Sequence, residues 1–564
     1  METRRLILFF IFTFSLVMLW DAWQKQQARL AAPAAGAPAT QQPAKSAGIP
    51  QPTISLPTPT VPALPGVPAV SVPVPLGTAS PGVVTKVVVK TDTLTAEIVS
   101  EGGDLRYVEF PQQKDTIDKT RNFVLLGQHN YFAQTGLLAQ GVELPTHKTN
   151  FSLAGGTYEM KPGEDKLAVR MEAMQNGIKV SKIYTFSRGS YALDVSYEIS
   201  NGSASAIAPS AYLQFVRDGK APAGDSQFLQ TFTGAVFYTD KEKFHKQDFS
   251  DIEKAKTVPI KSGVDGWVGM IQHYFAAAWL PQGNGQREFY SKKVAENLYS
   301  AGVIVPVGAI APGANGSFGA KLYVGPQDQD KLKVLSPGLE LVVDYGWLTI
   351  IAQPMFWLLQ WLHGVLGNWG LAIIALTVII KGAFFPLSAA SYRSMARMKK
   401  VTPRLTALRE RYGNDRMKMN QAMMELYKEE KINPLGGCLP IVIQIPVFIA
   451  LYWTLLASVE MRHAPFYGWI TDLSAQDPYY ILPIIMAISM FLQTKMNPTP
   501  PDPIQAKMMT IMPIVFSIFF FFFPAGLVLY WVVNNILSIA QQWQITRMIE
   551  SGADPDKKRA EKKK

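Results

Sequence analysis

Residues 347–385 form a run of 39 residues that carries one formal charge, Lys381. About 20 apolar residues suffice to cross the roughly 30 Å hydrocarbon core of a bilayer. The run is therefore too apolar for a surface segment and too long for one crossing. Within it, Thr349, Gln353, Gln360 and His363 fall within about 80° of one another on a helical wheel. The spacing predicts an amphipathic helix over residues 342–368 lying in the membrane interface, with Trp347, Trp357 and Trp361 toward lipid. Gly364 and Gly367-Asn368 supply a bend, and residues 369–387 then cross.

Four more apolar stretches follow between 435 and 546, at about 438–457, 480–496, 508–523 and 526–543. Pro524-Ala525-Gly526 makes the last two an antiparallel hairpin. Charge fixes the expected orientation. Residues 389–434 carry 11 Lys/Arg against 5 Asp/Glu, the tail 547–564 carries 7 against 4, and residues 461–480 carry one Arg and two Asp. Positive charge stays on the cytoplasmic side, so the first two segments are expected inside and the third outside. The net charge of +11 is then largely a matter of topology. No stacking aromatics interleave the basic residues as nucleic-acid binding would favour, although the basic tail could touch ribosomal RNA or anionic lipid.

The N-terminal part has two textures. Arg4 and Arg5 precede a charge-free run to Trp20, and the small-residue sites come too late for cleavage, so residues 1–23 read as an uncleaved signal anchor with a cytoplasmic N-terminus. Residues 31–82 hold 13 prolines and one charge, Lys45, which makes 24–82 an extended linker. From 83 to 341 the pattern is that of strands. Leu193, Val195, Tyr197 and Ile199 alternate with polar residues, and Asn176-Gly177 separates two apolar runs as a β-hairpin turn does. About 260 residues with little helical periodicity point to a large β-sandwich on the outer side.

Several chemistries are excluded or disfavoured. One cysteine, Cys438, leaves no disulfide framework and no Cys-based metal site, and six scattered histidines form no HxxxH or HExxH pair. No paired catalytic carboxylates stand out, no Walker motif is present, and no cofactor or enzymatic activity is expected. The segment 388–434 reads as a helical hairpin turning at Gly413-Asn414-Asp415. Its methionines (Met395, Met398, Met417, Met419, Met423 and Met424) serve either packing between the two helices or binding of varied apolar segments.

Lys381 is the sharpest feature. A charge at its depth costs roughly 2.5–3.5 kcal/mol on insertion scales. Snorkelling to the cytoplasmic end would explain Lys381 taken alone. Thr377 lies one turn before it. Tyr530, Asn534, Ser538 and Gln541 share one face of the last span, Trp531 and Asn535 a neighbouring one, and Gln444 interrupts the third. Polar groups cannot face hydrocarbon without partners, and no acid lies among them. A hydrated, positive cavity reachable from the cytoplasm is the simpler account. It suits an anion or an acidic stretch of peptide.

Val343-Asp344-Tyr345-Gly346-Trp347, NPLGGC at 433–438, DLSAQDPYYIL at 472–482 and PAGLVLY at 524–530 carry a resemblance that extends over essentially the whole chain. The sequence resembles the YidC family of bacterial inner-membrane protein insertases, in its Gram-negative form. The resemblance implies an all-α five-span insertase core, an N-terminal anchor helix and a large periplasmic β-supersandwich. It implies a chaperone and insertase for nascent membrane proteins, acting alone or beside the Sec translocon, with no ATP of its own. The ribosome, through the basic tail and hairpin, and the lipid bilayer are the other implied partners. Lys381 occupies the position of the family's groove cation, where many relatives have arginine. Thr377, Gln444, Tyr530, Trp531, Asn534 and Asn535 match its groove-lining positions, Trp531 standing where relatives often have a second tyrosine. The hairpin is implied to be mobile and needed for activity. A solute channel or transporter is the alternative, and polar residues concentrated toward the cytoplasmic half argue against it. A sugar-processing role for the β-domain, suggested by the implied likeness to galactose mutarotases, lacks a paired carboxylate and histidine.

Overall fold

The computed structural model describes residues 84–222, 231–413, 415–430, 439–497 and 503–551. The expected anchor at 1–23, the linker at 24–82, the NPLGGC run and the tail beyond residue 551 lie outside them. The chain divides into two compact units, one ending at Asp344 and the next starting at Tyr345, just beyond the expected division at 341.

The first unit is built from a ten-stranded and an eight-stranded sheet. Alternation along Ala192–Asn201 buries Leu193, Val195, Tyr197 and Ile199 and leaves Glu198 and Ser200 exposed. Lys166–Gln175 and Ile178–Ser187 pair antiparallel across Asn176-Gly177. Both turn residues have positive φ, 53° and 74°, the combination a two-residue turn of matching twist requires and Gly and Asn adopt most readily. The eight-stranded sheet continues antiparallel through Asn315–Pro326 and Phe275–Pro281. In the larger sheet Lys86–Lys90 pairs parallel with Gly156–Glu159, while its other named pairs are antiparallel. Hydrogen bonds tie the layers: Trp279 Nε1 donates to Gln214 O at 3.1 Å, and the Thr135 and Tyr197 hydroxyls meet at 3.0 Å.

Between the layers lies a buried polar cluster. Asp104 and Lys182 are fully buried. Asp104 accepts from Gln134 Nε2 at 2.8 Å, and Lys182 Nζ donates to Gly102 O at 3.0 Å. Burial pushes the Asp104 carboxyl up and the Lys182 ammonium down from their ordinary values. Nearby, the Tyr212 hydroxyl accepts the His147 backbone N–H at 2.8 Å and meets His147 Nδ1 at 2.6 Å. Burial, then Lys148 and other nearby cations, hold the imidazole down at about 4.

The second unit is helical. α1 (Thr349–Leu366) ends on Gly367, whose φ is 68°, and Asn368 caps α2 (Trp369–Ala383) by accepting from Leu371 N at 3.1 Å. The bend thus falls at Gly367-Asn368, whereas Gly364, also expected to supply it, lies within α1. α1 buries Ala352, Met355, Phe356, Leu359 and Leu362 and exposes Ile350, Trp357, Trp361 and Val365. At 100° per residue the stripe of Thr349, Gln353, Gln360 and His363 runs along the boundary between those faces.

The crossing expected over 369–387 is interrupted. α2 stops at Ala383, and α3 (Phe385–Tyr412) departs at 67°. Pro386 is the physical reason: it has no N–H for the carbonyl of Gly382, and its ring crowds that carbonyl. The first turn of a new helix tolerates it. α3 and α4 (Arg416–Glu429) form the expected hairpin. Met398 and Met423 pack with Val401, Leu405 and Leu426 inside it, Met395 packs near its base against the end of the last helix, and Met417 and Met424 are exposed. α5 (Leu439–Ala457), α6 (Ile481–Met496), α7 (Pro503–Phe520) and α8 (Ala525–Glu550) follow. Among the described residues no single helix is long and apolar enough to cross a membrane, and only the bent pair α2–α3 passes such a test.

The polarity of this unit is inverted relative to a protein built for water. Ile484, Ile485, Ile488, Phe491 and Leu492 of α6 are exposed, as are Ile511, Ile514, Val515, Ile518 and Phe519 of α7. Ser489, Ser517, Asn534, Asn535 and Ser538 are buried. A contiguous apolar exterior of this kind marks a lipid or protein contact.

The end of the bundle away from the hairpin is held together by hydrogen bonds. Asp472 accepts from His463 N, Ser474 N and the Ser474 hydroxyl. Asp477 receives Leu482 N at 2.7 Å at the start of α6. Leu473 O and Ala475 O accept from Gly526 N and Ala525 N at the start of α8. The Phe466 ring lies so close to Gly370 that a Cβ there would meet it at 2.0 Å.

Two outcomes follow from this packing. Below pH 6.5 the unfolded chain protonates His147 while the folded one resists until about pH 4, so stability is lost across that window, by on the order of 1–3 kcal/mol. Asp104, held up by burial, works in the opposite sense, so the comparison is with His147→Phe. As pH falls from 6.5 to 4, hydrogen-exchange protection of the Ser210–Asp218 amides in the full chain, corrected for intrinsic rates, should fall in the parent relative to the variant. Gly370→Ala should destabilise the helical unit by about 1–3 kcal/mol of overpacking. Gly364→Ala, where nothing lies within 4 Å, should not, as thermal unfolding in detergent will show.

Candidate functional site

α2, α5 and α8 bring the predicted polar residues toward one another. Lys381, in the last turn of α2, is 7% exposed, and its Nζ donates to Ser538 Oγ at 2.7 Å. Ser538 in turn donates to Asn534 O at 2.7 Å, one turn back along α8. Gln444 Nε2, from α5, donates to Asn534 Oδ1. Lys381, Gln444 and Asn534 edge a cleft of about 360 Å³ of empty space, measured out to its open mouth. Its polar lining is Lys381, Ser388, Gln444 and Asn534, and its apolar lining Ile380, Phe384, Leu387 and Val447.

Three of the seven predicted residues, Lys381, Gln444 and Asn534, line this cleft, and four do not. Thr377 is 1% exposed, and its hydroxyl is used by the Ile373 carbonyl at 2.7 Å, as mid-helix threonines often are. Asn535 lies 100° further round α8 than Asn534 and donates instead to Ser489 Oγ of α6 at 3.2 Å. Tyr530 stacks on Phe448 at 6.4 Å between centroids, with its hydroxyl beside Gln444 but without a formed hydrogen bond. Trp531 meets the same Phe448 edge-on at 4.4 Å and Phe520 at 5.5 Å. Tyr530 and Trp531 therefore join α8 to α5 and α7 above the cleft.

The cleft also has members that sequence reasoning did not single out. Ser388 and the apolar wall at Phe384 and Leu387 enter only because the chain bends at Phe384, which the Gly382 and Pro386 flanks could have signalled. Ser538, which lies outside the lining, is already named on the polar face with Asn534 in the sequence, but its pairing with Lys381 needs the approach of α8 to α2. Among the described residues no group of three or more His, Cys, Asp or Glu is placed to hold a metal.

Comparison with known proteins bears on the whole chain. The sequence profile described as YidC periplasmic domain matches residues 86–358, and that described as 60Kd inner membrane protein matches residues 361–552. The chain is 57% identical to the membrane protein insertase YidC of Aromatoleum aromaticum, over 98% of this chain and 100% of the relative. It is 55% identical to that of Dechloromonas aromatica, over 98% of each. A crystal structure of an active YidC insertase with its first transmembrane domain resolved aligns with 80% of this chain and 91% of its own, at 19% identity and a TM-score of 0.39. With identities above 50% across nearly its full length, the chain belongs to the YidC family of inner-membrane protein insertases.

Proposed function

We propose that this protein inserts and folds inner-membrane proteins through the cleft between α2, α5 and α8, with Lys381 as the attracting charge. The observation that carries this reading is the ammonium itself. It is withdrawn from the apolar exterior and directed into a half-polar cleft, and its hydrogen-bond partner is a neutral hydroxyl. A buried cation with no anion beside it among the described residues is costly, so an incoming carboxylate supplies the missing counter-charge.

The finer reading follows. The five apolar segments after residue 368 cross the membrane, both termini and the hairpin are cytoplasmic, and the β-unit is periplasmic. A client's short tail or hairpin enters from the cytoplasm with its acidic groups drawn to Lys381. The polar lining lowers the cost of taking backbone out of water partway across. The client's apolar helix then leaves sideways past α5 and α8 into lipid, driven by roughly 25 cal/mol per Å² of apolar surface removed from water. The stitched segment 458–480 keeps the other end shut meanwhile. The protein acts alone or beside the Sec translocon, and the basic hairpin meets the ribosome.

The test uses the full chain in proteoliposomes and two forms of one Sec-independent client, with an acidic or a neutralised tail. A charge-assisted hydrogen bond of about 1.5–3 kcal/mol predicts that Lys381→Gln lowers insertion of the acidic form about tenfold or more and Lys381→Glu lowers it further. Lys381→Arg should retain it, and the neutral form should be little affected. Full insertion of the acidic form by Lys381→Glu would refute the electrostatic step.

A further inference from the structure

Resting on that reading of the cleft, we infer that Ser538 is a positioning residue: it moors the Lys381 ammonium in the cleft and presents its remaining N–H donors to the client. The argument is one of donor and acceptor counting. A serine hydroxyl has one proton and two lone pairs. Ser538 gives its proton to Asn534 O at 2.7 Å, so its oxygen faces Lys381 as an acceptor, and Lys381 Nζ fills one lone pair at 2.7 Å. Ser538 is 3% exposed and Lys381 7%, so water does not compete freely for the contact.

The chemistry of the mooring matters for what the cleft accepts. An ammonium has three N–H donors, and one is held by Ser538. A carboxylate in place of Ser538 would neutralise the cation and close the site to acidic clients. A wholly apolar residue would leave the long lysine stem free to carry its charge out toward the water at the cytoplasmic end. A backbone-tied hydroxyl fixes the direction of the charge without cancelling it. It also suits lysine in particular, since one oxygen matches a point-like ammonium, whereas an arginine fork would seek two acceptors in a plane. Ser538 does not act on the client itself. It acts through Lys381, and its position is set by packing at the cytoplasmic end of α8, where Ile545 and Ile549 meet Ala389, Tyr392 and Ala396 of α3.

The mooring is testable apart from insertion. In full-chain proteoliposomes, acylation of Lys381 by acetic anhydride is followed by mass spectrometry, with the exposed Lys418 as internal reference. Ser538→Ala, and Ser538→Cys as a similarly sized variant with a weak acceptor, should raise Lys381 acylation about tenfold relative to Lys418, the factor expected for losing one hydrogen bond to a charged group. Ser538→Thr should stay near the parent. The same Ala and Cys variants should lower the ratio of acidic to neutral client insertion, and Thr should restore it, a change that general loosening of the bundle would not produce. Unchanged Lys381 acylation in both Ala and Cys variants would overturn the mooring. If Lys381→Gln leaves the acidic client unaffected while Ser538→Ala still exposes Lys381, the client reading fails and the mooring stands.

Discussion

Satisfaction of polar groups inside an apolar exterior governs the helical unit. The outward faces of α6 and α7 are lined with isoleucine, leucine, valine and phenylalanine, so serine, asparagine, glutamine and lysine side chains must find partners inward. Three pairs do so by joining helices: Asn535 to Ser489 between α8 and α6, Gln444 to Asn534 between α5 and α8, and Lys381 to Ser538 between α2 and α8. Each pairing fixes the rotation of one helix against another, which dispersion between apolar side chains alone does weakly. α8 takes part in all three and so orients the others.

The same helix links the two ends of the unit. Its first residues, Ala525 and Gly526, are held by the carbonyls of Ala475 and Leu473. Its last turns carry Ile545 and Ile549 against the hairpin base, and the Ile549 carbonyl accepts from Lys400 at 3.0 Å. One continuous helix of 26 residues therefore passes the bonded loop 458–480, the cleft and the hairpin. In the β-unit the buried cluster of Asp104, Lys182 and Gln134 does related work between two sheets, where hydrogen bonds to Gly102 O and among the side chains hold charged groups away from water.

Much of this architecture was legible locally. Period-two alternation placed the strand Ala192–Asn201 and its inward face, and Asn176-Gly177 placed a hairpin, because both are short-range consequences of backbone geometry. Gly367-Asn368 marked a bend for the same reason. The end of α2 at Ala383 was missed because an apolar run outweighed Pro386, whose missing N–H acts four residues upstream. Tyr530, Trp531 and Asn535 shared a helix with Asn534, and a wheel could not say which neighbour each would meet.

The sequence by itself determined that apolar helices follow a β-rich domain, that charge is biased between their connections, and that one lysine lies deep among them. Those are properties of composition and period, and they need no knowledge of neighbours. Only the tertiary structure decided that Gln444, Asn534 and Lys381 share a cleft while Thr377 and Asn535 do not. It alone set the lysine's partner as Ser538, 157 residues away. The reason is that a side chain's partner depends on the rotation and tilt of two packed helices, and a shift of one residue in either turns a group by 100° toward another helix or toward lipid.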